Sequence, residues 1–238
     1  MTTFSSIAPY YNIIFPYKSS KADFVESFLK QKPATILDIG CATGQMAIDL
    51  SQRGHRVAGI DLDGSMISIA KNDGKPTSVN FMEMDMLLVD QYFTPQSFDL
   101  ISCVGNTLVQ LDSIDKIRSM IQKIRDLLNP EGVFIMQNVN YDLITAKITS
   151  LPIIENDQVL FTREYSLDQE TGKVSFHTRI LDKKNNQEIK NQSLLFPLQS
   201  SQFLQLMSDS GFTNVKLYGN FDHSPFLPNS PALISIAS

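Results

Sequence analysis

The chain has 238 residues, 42% of them hydrophobic, and 20 lysines and arginines against 25 acidic residues give a net charge of −5. This composition is typical of a soluble globular domain. Because proteins that grip a nucleic acid backbone need clustered basic residues, the acidic balance (pI ≈ 5.2) argues against a nucleic acid partner. No run approaches the 18 or so apolar residues of a membrane span, so we expect no membrane association.

The first residues of the chain and its two cysteines indicate in which cellular compartment we expect the protein. The first residues, Met-Thr-Thr-Phe-Ser-Ser, lack the basic and apolar run of a secretion signal. Only Cys41 and Cys103 could pair, and they have no metal-ligand spacing. We therefore expect a cytoplasmic protein with two reduced thiols and no metal.

The first two-thirds of the chain alternates between strand and helix patterns. A tyrosine-rich segment at 7–17 and a helix at 21–32 precede a series of apolar runs of strand length, separated by amphipathic segments. This rhythm is typical of βα units around a parallel sheet. A helix at 114–128 is predicted by its apolar stripe and ends at Asn129-Pro130-Glu131-Gly132. The predicted strands are 35–38, 56–61, 79–82, 98–104 and 132–137.

Beyond residue 149 the pattern changes. Three segments with a period of two, 159–167, 173–181 and 188–196, are separated by polar turns and predict an antiparallel meander. A helix at 201–210 and strands at 213–218 and 232–237 follow. We predict an α/β fold: a Rossmann-like, doubly wound, mostly parallel seven-stranded sheet with an antiparallel β insert after strand five.

One segment carries most of the chemistry. Ile36-Leu37-Asp38-Ile39-Gly40-Cys41-Ala42-Thr43-Gly44 is a buried strand that ends in an acid and passes through glycines into a helix. Such a turn lets a ligand approach the backbone and presents a helix N-terminus to it. A second strand ends in Asp61, and an acid at that place can accept hydrogen bonds from a ribose diol.

Two cofactor classes use this arrangement. A dinucleotide fingerprint is G-x-G-x-x-G, whereas this chain has G-x-A-x-G with Gln45-Met46-Ala47 where the third glycine would fall. The carboxylate of Asp38 would repel a pyrophosphate but attract an ammonium and a sulfonium group. The pattern therefore favours S-adenosylmethionine and leaves an NAD(P)-dependent oxidoreductase as a weaker alternative.

The segment resembles motif I of the class I S-adenosylmethionine-dependent methyltransferases, and the resemblance continues in order over about residues 34–139. Residues 37–44 are similar to the family's glycine-rich loop, 81–86 to the segment that meets adenine, 98–103 to the fourth strand and 127–132 to the turn before the fifth. Ala42 departs from the glycine that the family commonly has there. The resemblance implies these cofactor-binding residues: Asp38, Gly40, Cys41, Ala42, Gly44, Asp61, Leu62, Asp85, Met86 and Cys103.

The remainder resembles the small-molecule methyltransferases akin to the glycine and sarcosine N-methyltransferases, through Tyr10-Tyr11-Asn12, the insert, residues 219–225 and Ser230-Pro231. Acceptors in open α/β folds lie beyond the carboxyl edge of the sheet. The candidate acceptor contacts are therefore Tyr11, Tyr17, Asn106, Asn138, Asn140 and Tyr141. We expect one domain, with a cap at 1–33, a cofactor-binding core at 34–149, the β insert at 150–198, and a final helix and strands at 199–238 that complete the sheet.

The leading hypothesis is methyl transfer from S-adenosylmethionine to a small-molecule acceptor, with nitrogen favoured, leaving S-adenosylhomocysteine. In-line displacement needs mainly positioning and desolvation, so no catalytic residue is assigned.

A regulatory protein that binds the cofactor without turnover is the alternative from another class. Methyltransferases that act on exocyclic amines of nucleic acid bases resemble one another in an Asn/Asp-Pro-Pro-aromatic run after strand four. This chain lacks that run, which argues against a nucleic acid base as the acceptor. The exposed edges of the insert make a homodimer possible, and His55 is expected at the surface.

Overall fold

The computed structural model describes residues 4–74, 78–144 and 149–238. Its strands are β1 Thr35–Ile39, β2 Arg56–Asp61, β3 Asn80–Glu83, β4 Phe98–Cys103, β5 Leu128–Val139, β6 Thr149–Ser150, β7 Ile154–Glu155, β8 Val159–Leu167, β9 Val174–Asp182, β10 Gln187–Leu195, β11 Val215–Tyr218 and β12 Ala232–Ala237. Its α-helices are α1 Tyr11–Ile14, α2 Ser20–Glu26, α3 Gln45–Gln52, α4 Gly64–Lys71, α5 Val89–Tyr92, α6 Ile114–Leu127 and α7 Ser200–Asp209.

Seven strands form the central sheet, in the order β11-β12-β5-β4-β1-β2-β3. The pairs among β1 to β5 are parallel, and β12 runs antiparallel to both β5 and β11. The strand order reverses between β1 and β4, which is where open α/β sheets bind ligands, at their carboxyl edge. The predicted doubly wound, mostly parallel seven-stranded sheet is confirmed.

Both faces of this sheet are covered. On one face, apolar side chains of α6 and α7, such as Ile121 and Phe203, pack with Phe134 and Met136 of β5. The opposite face holds a second apolar cluster to which α2, α3 and α4 contribute. Burial on two faces explains why the strands read as nearly continuous apolar runs in the sequence.

The insert forms a second, antiparallel sheet in the order β10-β9-β8-β6, with β7 also paired to β8. One face of it packs against the N-terminal segment: Phe161 and Ile180 share an apolar cluster with Ile7 and Ile14. The N-terminal segment therefore lies between the insert and the rest of the chain.

The structure differs from the sequence expectations at several boundaries. The predicted helix at 21–32 runs over Ser20–Glu26, and the following N–H groups of Phe28 and Leu29 donate to carbonyls three residues back, as in a 3-10 turn. β5 already begins at Leu128, and the ladder skips from Phe98↔Leu128 to Leu100↔Val133, so the predicted turn at 129–132 is an irregularity within the strand. The second sheet begins at Thr149.

His55 is buried at 2% exposure, so its expected surface position is wrong. Its Nδ1 accepts the Ala34 backbone N–H at 3.1 Å, so Nε2 carries the proton and donates to Glu26 Oε1 at 3.1 Å. The imidazole therefore joins α2 to the start of β1. Among the described residues, no helix is both long and apolar enough to cross a membrane.

Candidate functional site

A cavity of about 520 Å³ opens at the carboxyl edge of the central sheet, where the strand order reverses. It brings together eight of the residues predicted from the sequence: Tyr11, Gly40, Ala42, Asp61, Leu62, Asp85, Met86 and Asn106. The other predicted residues do not line it: Asp38, Cys41, Gly44, Cys103, Tyr17, Asn138, Asn140 and Tyr141. Its wall also contains residues that sequence reasoning missed, among them Phe4, Asp63, Met66, Leu87, Thr107 and Gln110.

The turn between β1 and α3 requires glycine at two places. Gly40 has φ +70°, and a Cβ there would lie 2.4 Å from Cγ2 of Thr107. Gly44 has φ +74°, and its Cβ would lie 2.4 Å from the ring of Phe81. Ala42 also adopts a left-handed conformation, φ 48°, so alanine meets the requirement there at some conformational cost. The backbone of this turn consequently forms the floor of the cavity.

Asp61 ends β2 and holds the turn in place. Its Oδ2 accepts the Ala42 N–H at 2.8 Å, and its Oδ1 accepts the Asp63 N–H at 2.9 Å. Burial raises the pKa of this carboxyl, although the two backbone donors favour its ionised form. Each oxygen keeps a second lone pair, so a diol in the cavity could still donate to it.

Asp38 lies behind the turn, 2% exposed, and its Oδ1 accepts the hydroxyl of Ser102 at 2.8 Å. Burial raises the pKa of Asp38 to about 7, with a further increase from the negative charge of Asp61; Ser102 and the cation of Lys21 act in the opposite direction. A carboxyl in this state ionises readily when a cation arrives beside it.

Apolar side chains and two capping acids form the wall beyond β2 and β3. Asp85 accepts the Leu87 N–H at 2.9 Å and caps the short 3-10 turn Met86–Leu88. Asp63 accepts the Ser65 and Met66 N–H groups and so caps α4. Asp85 and the neighbouring Met86 both line the cavity. An acid beside a large apolar side chain suits a flat heterocycle that carries an amine.

The loop after β4 forms the opposite wall. Asn106 adopts φ +66°, donates from Nδ2 to the Tyr141 hydroxyl at 3.0 Å, and accepts the Val139 N–H at 3.1 Å. Tyr141 is buried behind Asn106, and burial raises the pKa of its hydroxyl. Tyr141 therefore contacts this wall indirectly, through Asn106.

The remaining predicted acceptor contacts are placed elsewhere. Asn140 donates to the carbonyl of Ser230 at 2.9 Å, and Tyr17 donates to Asp49 of α3 at 2.8 Å. Asn138 is 1% exposed, and neither of its amide atoms has a hydrogen-bond partner within the described part of the chain.

The N-terminal segment, residues 4–17, covers the cavity at the carboxyl edge of the sheet. Phe4 and Tyr11 line it, and the Thr43 hydroxyl of the glycine-rich turn donates to Asn12 Oδ1 at 2.6 Å. On its other side, the Tyr10 hydroxyl donates to Asp182 of β9 at 2.8 Å. No local sequence pattern could reveal that last pair, because its members are 172 residues apart.

Neither cysteine has the environment of a reactive thiol. Both are buried, and burial, reinforced by the charge of Asp38, raises the pKa of Cys41 and of Cys103. Reactive cysteines have lowered pKa values. Across residues 4–74, 78–144 and 149–238, no group of three or more His, Cys, Asp or Glu side chains could hold a metal ion.

The residues present fit a ligand that joins an adenosine to an amino acid. Gly40 and Ala42 of the turn line the cavity, Asp61 offers acceptors to a diol, and the carboxyl of Asp38 favours a nearby cation. A pyrophosphate would meet two carboxyl groups at the same edge.

Comparisons with known proteins point to a methyltransferase. A family model described as a methyltransferase domain matches residues 36–132. A glycine/sarcosine N-methyltransferase of Aphanothece halophytica is 26% identical over 87% of this chain and 77% of its own length.

Two solved structures share the fold. The CcbJ methyltransferase from Streptomyces caelestis has a TM-score of 0.85 and 20% identity, over 99% of this chain and 97% of the other. An S-adenosylmethionine-dependent methyltransferase from Clostridium acetobutylicum has a TM-score of 0.82 and 16% identity, over 100% and 99%. The methyltransferase-domain match over residues 36–132, the ordered motifs and the doubly wound sheet together support a class I S-adenosylmethionine-dependent methyltransferase.

Proposed function

We propose that this enzyme methylates a small molecule, and that the methylated atom is a nitrogen. The observation that carries the proposal is the cavity at the sheet edge, where Gly40 and Asp61 face the loop of Asn106 across a space roofed by Tyr11. The similarity to a glycine/sarcosine N-methyltransferase supports nitrogen as the acceptor atom. The net charge of −5 supports a small acceptor over a nucleic acid.

Four side chains would hold the cofactor. Asp61 would accept the ribose hydroxyls, Asp38 would attract the ammonium group, Asp85 would accept the adenine amine, and Met86 would pack on the adenine ring. The remaining predicted residues, Gly40, Cys41, Ala42, Gly44, Leu62 and Cys103, would shape the turn and its walls.

S-adenosylmethionine supplies a methyl group bonded to a sulfonium sulfur. When the methyl group is transferred, the sulfur departs as a neutral thioether. The protein's contribution is to orient the acceptor and exclude water, which can supply up to about 7–11 kcal/mol of the acceleration. Tyr11 and Phe4 would form the roof that excludes water, and Asn106, held by Tyr141, would fix the acceptor side.

Tyr11 has a defined protonation state in this arrangement. Burial and the charges of Asp61 and Asp38 raise the pKa of its hydroxyl to about 12. At neutral pH the hydroxyl therefore stays protonated, and Tyr11 would act as a hydrogen-bonding group and not as a general base. An amine acceptor would have to arrive in its neutral form or lose its proton to solvent.

We further propose that the chain works as one domain, with the N-terminal cap and the insert closing the core over the acceptor. The free thiols fit a reducing compartment. Within the described residues β10 pairs only with β9, so its outer edge could join a second copy of the chain. Sedimentation of the full chain would detect that dimer.

A methyl-transfer assay tests the proposal. The full chain is incubated with S-adenosylmethionine and either a pool of small amines or a pool of small alcohols and phenols, and S-adenosylhomocysteine is followed by chromatography. We expect product formation in the amine pool, loss of it in Asp61→Ala, and retention in Asp115→Asn, a change at an exposed acid of α6. Product from the alcohol pool alone would overturn nitrogen as the acceptor atom. Cofactor binding without product from either pool would favour the regulatory alternative.

A further inference from the structure

The face of the insert sheet that packs against the N-terminal segment carries a polar row between two mostly apolar rows. The strand register places Arg163 of β8 opposite Thr178 of β9, and Thr178 opposite Asn191 of β10. Side chains two residues apart in a strand share a face, so this row lies on the face that buries Phe161 and Tyr165. Polar side chains thus cross the sheet where apolar ones are expected.

Single atoms of these polar side chains lack hydrogen-bond partners among the described residues, although Asn191 Oδ1 accepts the Ser6 hydroxyl at 2.8 Å. Nε of Arg163, Oγ1 of Thr178 and Nδ2 of Asn191 are buried and have no hydrogen-bond partner in the described part of the chain. Ser193 lies on the same face, two residues further along β10. Its Oγ is also buried and has no hydrogen-bond partner among the described residues. Native proteins leave few buried polar atoms unpaired, so four on one face of one sheet indicate a group that binds there.

The chemistry of the row favours an oxyanion. Two of the four atoms are pure donors, and two are hydroxyls that can donate. The guanidinium of Arg163 lies 5.7 Å from the ring centre of Phe15 and 5.5 Å from that of Phe161. Among the described residues Arg163 forms no ion pair, and its Nη2 donates one long hydrogen bond, 3.4 Å, to the carbonyl of Pro152. An arginine fork without a carboxylate is suited to a carboxylate or phosphate.

Two series of aromatic contacts join the row to the wall of the cofactor cavity. On one side, the Phe15 ring packs at 5.2 Å against Tyr11, which lines the cavity. On the other side, Tyr165 packs at 6.4 Å against Tyr141, which is hydrogen-bonded to Asn106 of the cavity wall. The row and the cavity therefore contact the same aromatic cluster, and an acceptor that spans both would pass between its rings.

We propose that Arg163, Thr178, Asn191 and Ser193 form a subsite for an oxyanion, and that the methyl acceptor is an amine that also carries a carboxylate or a phosphate. The identity of the acceptor rests on the proposed function, whereas the subsite itself does not. The subsite supplies the positive charge and the donors, and it fixes the distance between the anionic end and the methylated nitrogen.

Thermal unfolding of the full chain tests the subsite without any acceptor. Acetate or inorganic phosphate is titrated against chloride at equal ionic strength, and the unfolding temperature is followed. We expect a saturable rise in the wild type that is lost in Arg163→Gln and in Thr178→Val. The control is Arg118→Gln, at an exposed arginine of α6 outside the insert, which should keep the rise. Salts that are excluded from the protein surface raise the unfolding temperature of proteins in general. Only the difference in this rise between the wild type and the subsite variants therefore reports on the subsite.

Thr178→Val also separates binding from folding. The change replaces an unpartnered hydroxyl with a methyl of similar size, so without oxyanion this variant should unfold at the same temperature as the wild type or higher. Arg163→Lys keeps the charge but loses the fork and should retain part of the rise. A wild type that responds equally to chloride and oxyanion, or a rise that survives both Arg163→Gln and Thr178→Val, would overturn the subsite.

Matched acceptors test the substrate class. The pairs are β-alanine against propylamine for the carboxylate and phosphoethanolamine against ethanolamine for the phosphate. We expect kcat/KM at least tenfold higher for the anionic member of one pair, and a return to parity in Arg163→Gln with unchanged affinity for S-adenosylmethionine. Transfer without such preference would overturn the substrate class while leaving the proposed function standing. If no amine is methylated, the proposed function fails, and the unfolding experiment alone decides on the subsite.

Discussion

The Thr43 hydroxyl donates a 2.6 Å hydrogen bond to Oδ1 of Asn12, which joins the glycine-rich turn to the segment that roofs the cavity. The same segment is joined to the insert through Tyr10 and Asp182. The proposed cofactor site at the turn and the proposed acceptor site beneath the insert are therefore linked by one short stretch of chain.

The Asn12–Thr43 contact should be measurable as a coupling. Asn12→Ala and Thr43→Ala should each weaken S-adenosylmethionine binding, and the double variant should lose about 0.5–1.5 kcal/mol less than the sum, the usual range for one hydrogen bond. Calorimetry on the four proteins of the cycle gives the value. Additive losses would mean that the contact does not couple the roof to the turn.

Gly40→Ala should remove cofactor binding, because the new methyl would lie 2.4 Å from Thr107 at a left-handed position. Gly54→Ala is the matched control: Gly54 has φ +95°, and its Cβ would meet nothing within 4 Å, so it carries the same kind of backbone strain away from the cavity. Adding Thr107→Ala to Gly40→Ala should restore part of the binding. If Gly40→Ala and Gly54→Ala behave alike in calorimetry, the turn is not the binding surface.

Asp61→Ala should weaken S-adenosylmethionine by about 1–3 kcal/mol, the range for hydrogen bonds to a charged group. The carboxylate also holds the N–H groups of Ala42 and Asp63, so thermal unfolding must show that the variant still folds cooperatively. Asp115→Asn, at an exposed acid, should leave the affinity unchanged. An unchanged affinity in Asp61→Ala would remove the ribose assignment.

Asp38 should make the stability of the ligand-free protein depend on pH. Its pKa is about 7 in the folded chain, against about 3.9 in an unfolded one. A raised carboxyl pKa means that the folded state holds the proton more tightly, so the stabilisation is complete below about pH 4 and is lost as the pH rises through 7. Asp38→Asn should lose this component and gain stability relative to the wild type by up to a few kcal/mol at pH 8. Urea unfolding across this range measures it.

The same group should link cofactor affinity to pH. An ammonium beside Asp38 favours the ionised carboxylate, so affinity for S-adenosylmethionine should rise as the pH approaches 7 and level off above it. Below pH 7 binding should release a proton, which calorimetry in buffers of different ionisation enthalpy detects. Burial also raises the pKa of Asp61, so Asp38→Asn should reduce the proton release without removing all of it. Identical proton release in Asp38→Asn would contradict the role given to this acid.

Local patterns predicted the sheet well because each strand is defined by its own residues. β2 and β12 begin and end where the apolar runs do, and Asp61 and Gly40 meet at the cavity because parallel strands share one carboxyl edge. The glycine-rich turn was predictable for the same reason, since its conformation depends on Gly40 and Gly44 themselves.

The contacts between distant parts of the chain were not predictable from local patterns. Nothing around Tyr10 indicates that its hydroxyl meets Asp182, and nothing around His55 indicates that Ala34 and Glu26 bury it. The polar row of the insert is similarly hidden. Arg163, Thr178 and Asn191 become neighbours only once the register of three strands is known.

Titration calorimetry of the full chain with S-adenosylmethionine, S-adenosylhomocysteine and NADH in parallel tests the central claim most directly. We predict micromolar binding of both sulfur ligands, strong weakening in Asp61→Ala, and no heat from NADH. Binding of NADH without the sulfur ligands would contradict the assignment of the cavity to S-adenosylmethionine.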